Sequence, residues 1–289
     1  MSIKTIISNI KFLLKNDIKE KFQQKNEINY LIEEQFISLR NIHYPFIIDV
    51  FKTIDLIANS KHSIVRFGDG EINLIQGKTI PFQKASTLLS ERLVEVLSSN
   101  KENLEVGIPL FIYSDKSNLI DLSRNFWSGR NGKYFRDTIQ PYLLDNKIYC
   151  SAEFTIANTA YKNFNSDLYF EKLQELWRGR TVTIICGENV FSNISYNIFE
   201  CAKRVNYIKC PSLNAFDQYD HILKKSLQIS KEDLVIVILG PTAKVLVFDL
   251  CNIGYQALDL GHIAKSYDWY KKKKSTISEA NAFDFFRPD

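Results

Sequence analysis

Two acidic residues, Asp69 and Glu71, stand one residue apart in the segment RFGDGE, directly after a short apolar run. In an extended turn alternate side chains point to the same side, so the two carboxylates can share a ligand. Mg²⁺ and Mn²⁺ take oxygen ligands, commonly one or two carboxylates together with phosphate oxygens. Arg66 can pair with a phosphate, and Gly68 permits close approach of the backbone. The segment predicts a site for a metal ion and a diphosphate, with an ordinary surface turn as the alternative.

A second polar segment follows the apolar run that ends at Cys186. Gly187 allows a tight turn, and the side chains of Glu188 and Asn189 have the hydrogen-bonding groups that recognise a ribose or a base. The alternative is the beginning of a helix, for which Asn189 is a suitable N-cap. The sequence leaves the two interpretations open.

Two more turns near the end of the chain carry candidate ligand-binding residues. Gly240, Thr242 and Lys244 lie where a strongly apolar strand passes into a helix, and backbone N–H groups at a helix start bind phosphate. The segment lacks the spacing of a Walker A loop. His262 follows the next predicted strand, which suits a general base or a ligand of the diphosphate, although a lone histidine is more often structural.

The elements that must position these residues alternate between strand and helix. Residues 233–239 form an apolar run on both faces, which is typical of a central parallel strand covered by helices. The pattern predicts an α/β fold with a Rossmann-like, doubly wound and mostly parallel sheet in residues 46–289, preceded by a helical extension in residues 1–45. The predicted strands are 63–67, 105–109, 147–150, 181–186, 206–210, 233–239 and 255–259, and the predicted helices of the main domain are 45–59, 86–97, 219–228 and 243–253.

Composition excludes several classes of protein. The formal net charge of +4 over 289 residues is too small for a nucleic-acid-binding protein. The five cysteines are odd in number and include no Cys-x-x-Cys pair, which indicates reduced thiols and a cytoplasmic location. No apolar stretch reaches the roughly 18 residues of a transmembrane helix. Lysines cluster near the N-terminus and at 271–274, either as a solvated helix face or as a peripheral contact with the inner face of a membrane.

Two blocks together resemble the GT-D-type glycosyltransferase domain: RFGDGE, and LGPTAKVLVFDLCNIGYQALDLGHI near the end of the chain. The resemblance covers about residues 45–275 and implies a Rossmann-like fold and metal-assisted transfer from a UDP-sugar in the glycosylation of bacterial surface polysaccharides or proteins. It gives Asp69 and Glu71 the role of the Asp-x-Glu signature. Gly240 to Lys244 and Asp259 to His262 match the second block. The chain departs from the family at Glu153 to Asn158, where an Arg-Pro-Tyr-like element is expected.

The expected function is therefore sugar transfer, with Mn²⁺ or Mg²⁺ as cofactor and UDP-glucose or UDP-galactose as donor. Asp69, Glu71 and His262 are the expected catalytic residues, and the acceptor is a glycan, a glycoprotein or a lipid-linked sugar. A phosphoryl or nucleotidyl transferase and a non-catalytic sugar-nucleotide-binding subunit are the alternatives. Self-association into a homo-oligomer is left open by the sequence.

Overall fold

An eight-stranded parallel sheet forms the centre of the molecule in the computed structural model, which describes residues 44–273 and 282–286 and the isolated positions Lys21, Lys25 and Ile28. The strands are β1 (Phe46–Ile47), β2 (Ser63–Arg66), β3 (Leu104–Ile108), β4 (Ile148–Ser151), β5 (Thr181–Gly187), β6 (Arg204–Cys210), β7 (Leu234–Ile238) and β8 (Ala257–Asp259). Their order is β1-β4-β3-β2-β8-β7-β5-β6, and every neighbouring pair is parallel. The predicted fold class is confirmed.

Helices cover both faces of this sheet. They are α1 (Val50–Ser60), α2 (Asp69–Ile75), α3 (Thr87–Leu97), α4 (Asp121–Trp127), α5 (Arg130–Ile139), α6 (Ala157–Ala160), α7 (Ser166–Glu175), α8 (Tyr219–Ser226), α9 (Thr242–Asn252), α10 (Ile263–Lys271) and α11 (Ala282–Phe286). Alternate residues of β7 enter two different apolar clusters, with Val235 and Val237 on one face and Leu234 and Ile236 on the other. All of β7 is buried, as its apolar sequence predicts.

Helix α9 is buried on nearly all sides, from Thr242 to Cys251. A helix that is apolar all round belongs in the interior, where it packs against β2, β7 and β8. Lys244 is therefore carried into a dry environment near the start of this helix. An ammonium group in such a place needs ionic partners, and the site below supplies them.

The structure corrects two of the predicted elements. The helix predicted over 45–59 begins only at Val50, because Asp49 caps it by accepting a hydrogen bond from Lys52 N at 2.9 Å. The residues before it form the edge strand β1, which pairs with β4. The turn predicted at Asp69 to Glu71 is the first turn of α2.

The other predicted strands and helices of the main domain are present, and none of their ends is shifted by more than two residues. The predicted extension in residues 1–45 lies almost wholly outside the described residues. Within 44–273 and 282–286, no helix is both long and apolar enough to cross a membrane. The cysteines, all described, are free thiols, as expected.

Candidate active site

A cavity of about 650 Å³ opens at the carboxyl edge of the sheet, where β2 and β8 meet. Ligands of doubly wound sheets bind at this edge, next to the point where the strand order reverses. Much of its polar lining comes from residues that follow β2, β4, β6, β7 and β8, and most of its apolar lining comes from helices and loops above the sheet. The residues discussed below that line it are Arg66, Gly68, Asp69, Glu71, Phe82, Glu153, Gly187, Ser212, Gly240, Lys244, Gly261, His262, Lys265 and Phe286.

Arg66, at the end of β2, is bound to the end of β8. Its backbone N donates to Asp259 Oδ2 at 3.1 Å, Nε donates to the Asp259 carbonyl at 2.8 Å, and Nη2 donates to Oδ1 at 3.2 Å. Nη1 donates to the Ala152 carbonyl at 3.3 Å. A guanidinium group has five N–H donors, and the side chain uses three of them here, so two remain for a ligand.

A glycine makes room for this arrangement. Gly261 has φ +44°, and a Cβ built there would lie 2.0 Å from Arg66 Nη2. Any side chain at this position would displace the guanidinium group. The Leu-Gly-His sequence after β8 is therefore explained by the close passage of Arg66.

Lys244 extends from α9 to the same carboxylate. Its Nζ lies 3.1 Å from Asp259 Oδ2 and 2.9 Å from Glu71 Oε1, and it donates to the Gly240 carbonyl at 3.3 Å. An ammonium group has three N–H donors, so these partners use all of them. The predicted phosphate contact of Lys244 would require it to leave one of these partners.

The four charged groups form one buried network with no formal net charge. Arg66 and Lys244 contribute two positive charges, and Glu71 and Asp259 contribute two negative charges. Burial by itself would raise the pKa of Asp259, but the ion pairs with Arg66 and then Lys244 hold it below its ordinary value. Asp259 is therefore a stable anion that fixes both cations.

The two carboxylates of the Asp-x-Glu pair have different environments. Both oxygens of Glu71 are engaged, since Oε2 accepts a hydrogen bond from Gly68 N at 2.8 Å and Oε1 meets Lys244. This contact caps α2, and it is the reason why the segment is helical and not an extended turn. Asp69 forms no ion pair within the described part of the chain. Asp69 is exposed on the cavity wall, and its pKa is raised by partial loss of water around the carboxylate and then by the charge of Glu71.

His262 lies just after β8, among three aromatic rings. The ring centroids of Phe285 and Phe286 are both 5.7 Å from its own centroid, and that of Phe82 is 6.0 Å away. The Phe285 ring is stacked on the imidazole, whereas the other two meet it edge-on.

The environment of His262 favours the neutral imidazole. Burial lowers its pKa to about 3, and the positive charges of Lys265, Arg66 and Lys244 act in the same direction against a smaller opposing effect of Asp259. At neutral pH the ring can therefore donate one hydrogen bond and accept another, but it carries no charge.

Sequence reasoning missed two acidic residues of this site. Asp259 lies in the last block of the sequence, but its partner Arg66 is 193 residues away along the chain. Glu153 follows β4 and is only 3% exposed. It accepts hydrogen bonds from Tyr161 Oη at 2.6 Å and Leu110 N at 3.3 Å, and burial raises its pKa. Their position directly at or after a strand end is the one signal that could have found both.

The structure does not bring three predicted residues into the cavity lining. Glu188 and Asn189 are exposed at the turn after β5. Thr242 is fully buried, and its hydroxyl has no hydrogen-bond partner within the described residues. Gly187 does line the cavity, and a Cβ there would lie 2.8 Å from Ser212 Oγ, so the glycine permits close contact of two loops.

The parallel sheet and the charged cavity at its carboxyl edge define a doubly wound α/β protein with a ligand-binding cavity at the edge that such sheets use. Comparison with known families identifies the family to which the chain belongs. Residues 64–281 match the family described as "Glycosyltransferase GT-D fold", and the chain belongs to this family. The resemblance seen in the two sequence blocks is confirmed.

Two curated relatives come from streptococci. The chain is 32% identical over 233 residues to the Streptococcus gordonii protein named "Probable glycosyl transferase Gly", and 31% identical to "Glycosyltransferase GlyD" of Streptococcus pneumoniae serotype 4. Each alignment covers 78% of this chain, but only 33% and 28% of the relatives. The chain thus spans about a third of the length of these proteins.

Solved structures of the family are similar over most of their length. One, of the highly conserved domain of unknown function 1792 with "a distinct glycosyltransferase fold", has a TM-score of 0.75 at 34% identity and covers 86% of this chain and 92% of its own. Another, described as a new glycosyltransferase from Streptococcus sanguinis, has a TM-score of 0.76 at 29% identity, with 85% and 95% covered.

Proposed function

We propose that this chain transfers the sugar of a UDP-sugar, with glucose or galactose as the sugar, to a hydroxyl group of a glycan, a glycoprotein or a lipid-linked acceptor. Family membership and the names of the relatives support sugar transfer. The observation that supports a nucleotide donor and a metal ion is the cavity itself. It presents the unpaired carboxylate of Asp69 beside a rigid, charge-balanced network at the edge where this class of sheet binds nucleotides.

Asp69 fits a divalent metal ion, whereas Glu71 fits a supporting role. Mg²⁺ and Mn²⁺ in nucleotide sites are commonly held by one or two carboxylates, with phosphate oxygens and water completing the shell. The carboxylate of Asp69 is available within the described residues, but both oxygens of Glu71 are occupied by Lys244 and Gly68 N. A metal ion held by Asp69 would neutralise charge on the leaving diphosphate.

Arg66 would contact the donor directly. Arg66 lines the cavity and has two N–H groups outside the hydrogen bonds described above, and guanidinium groups recognise phosphate oxygens well. Asp259 prevents the guanidinium group from turning away, since it binds Arg66 through both its side chain and its backbone carbonyl. Such preorganised groups need little rearrangement as negative charge develops on the diphosphate.

In the transfer, an acceptor hydroxyl oxygen bonds to the anomeric carbon while the bond from that carbon to the diphosphate breaks. UDP leaves, and the hydroxyl proton passes to a base. If the anomeric configuration is inverted, neutral His262 is a candidate for that base. Its low resting pKa would rise once an anionic diphosphate lay near Arg66 and Lys244, because negative charge favours the imidazolium form.

Product analysis tests this assignment. The protein is incubated with UDP-glucose or UDP-galactose, Mn²⁺ and a panel of mono- and disaccharide acceptors, and the nucleotide products are separated by chromatography. Sugar transfer releases UDP and yields a larger saccharide. Release of UMP with a sugar phosphate would instead indicate chemistry at the phosphate, and binding without any product would indicate a non-catalytic sugar-nucleotide-binding subunit. Either result would overturn the assignment.

A further inference from the structure

Helix α11 brings two phenylalanines to the His262 end of the cavity. Phe285 is completely buried and packs with Ile120 in a small apolar cluster, and its ring centroid lies 5.0 Å from that of Trp269. Phe286 follows it and lines the cavity, although it remains 41% exposed. Phe285 therefore anchors α11 to the body of the protein, and Phe286 extends the cavity wall toward solvent.

These two rings are two of the three aromatic rings around the imidazole. The Phe285 ring stacks on His262 at an interplanar angle of 27°, and the Phe286 ring meets it edge-on at 82°. Phe82, from the loop between α2 and α3, is the third ring. Without α11, one face and one edge of His262 would lose their cover.

Helix α11 lies beyond the segment that matches the family, which ends at residue 281. The family match therefore assigns no role to the contact of this helix with His262.

We propose that α11 is an active-site seal that shields His262 and the adjacent end of the cavity from bulk water. Phe285 acts as the positioning residue, and Phe286 as the lining residue. The inference deepens the proposed sugar transfer and rests on it for its chemical consequence. Water competes with the acceptor, because its oxygen can also bond to the anomeric carbon and release UDP and free sugar. Exclusion of water favours transfer over this hydrolysis.

Chemical modification of histidine tests the seal without reference to any substrate. Diethyl pyrocarbonate acylates neutral imidazole, and mass spectrometry gives the rate at each histidine of the full chain. In the wild type His262 should react more slowly than His221, which is exposed. In Phe285→Ala the His262 rate should rise toward that of His221, whereas Phe285→Leu, which keeps an apolar anchor, should retain protection.

Donor hydrolysis tests the consequence. UDP-glucose and UDP-galactose are each supplied with and without acceptor, and the ratio of hydrolysis to transfer is measured for wild type, Phe285→Ala and Phe286→Ala. Both variants should raise this ratio severalfold, with a nearly unchanged melting temperature in Phe286→Ala. Phe46→Ala is the control, since Phe46 is 66% exposed on the edge strand β1, away from the cavity lining.

The outcomes separate the seal from the proposed function. Equal His262 modification rates in wild type and Phe285→Ala would overturn the seal, whatever the activity. An increase in modification with no change in the ratio of hydrolysis to transfer would overturn the water-exclusion role. Absence of any product from the wild type would count against sugar transfer, while the modification rates would still report on the seal.

Discussion

Replacement of Lys244 by methionine tests the buried charge network most severely. The network of Arg66, Lys244, Glu71 and Asp259 has no formal net charge, and removal of the ammonium group leaves it with one excess negative charge. The side chain of Asp259 is 1% exposed and that of Glu71 is 10% exposed, so water cannot replace the lost partner. Breaking a buried ion pair typically costs about 3–5 kcal/mol.

A matched control removes the contribution of the substitution itself. Lys172→Met also deletes an ammonium group from an ion pair, but Lys172 and its partner Asp55 are 34% and 51% exposed. Surface pairs of this kind contribute about 0–1 kcal/mol. The structure therefore predicts that Lys244→Met loses several times more unfolding free energy than Lys172→Met.

The assay is urea unfolding, followed in parallel by circular dichroism and tryptophan fluorescence. The double variant Lys244→Met with Glu71→Gln should recover part of the loss, because neutralising Glu71 removes the excess charge. Coupling energies of residues in direct contact are typically about 0.5–3 kcal/mol. Equal losses in Lys244→Met and Lys172→Met, or strictly additive losses in the double variant, would refute this account of the network.

Three further predictions concern the same site. Gly261→Ala should displace Arg66 and lower both the unfolding midpoint and the UDP affinity, because the added Cβ would lie 2.0 Å from Nη2. Gly179→Ala, which has a positive φ but open surroundings, is its control, and equal losses in the two would contradict the clash. Asp259→Asn should be less stable than wild type at neutral pH. That difference should shrink as the pH falls below the unfolded aspartate pKa of about 3.9 and through the lower pKa of folded Asp259; a difference independent of pH would contradict it. Asp69→Asn should unfold at the same or a higher temperature at pH 7, because the raised pKa of Asp69 means that its ionised form costs stability there. A clear fall in melting temperature would contradict this.

The sheet could be predicted well from local patterns. The run that became β7 is apolar on both faces, and only a central strand covered on both sides places such a sequence in the core. Glycines after strands marked the carboxyl edge correctly, at Gly68, Gly187, Gly240 and Gly261. The order of the strands could not be predicted from the sequence, because it depends on which apolar surfaces meet in space and not on any short segment.

The helical start of α2 could not be predicted from the spacing of Asp69 and Glu71. Two acids one residue apart fit an extended turn as well as a helix. The decision came from Glu71, whose carboxylate caps Gly68 N and meets Lys244 from a helix far along the chain. A contact between segments so far apart in the sequence leaves no local sequence pattern. The same contact gives Asp69 and Glu71 different roles, because it engages only Glu71.

The surroundings of His262 could not be predicted from the sequence. The Asp-Leu-Gly-His segment shows only that an acid stands three residues before the imidazole. In the structure Asp259 is committed to Arg66 and Lys244, and aromatic rings from two distant segments surround His262 instead. Burial then outweighs the nearby carboxylate and lowers the pKa.

The central claim is that Asp69 at this cavity binds a metal ion together with a UDP-sugar. Calorimetric titration of UDP into the protein, with and without Mn²⁺, tests it directly in wild type, Asp69→Asn and the control Glu188→Gln, whose side chain is exposed outside the cavity lining. We predict Mn²⁺-dependent binding to wild type and to Glu188→Gln, and loss of the Mn²⁺ dependence in folded Asp69→Asn. Unchanged Mn²⁺-dependent UDP affinity in Asp69→Asn would contradict the assignment of the site.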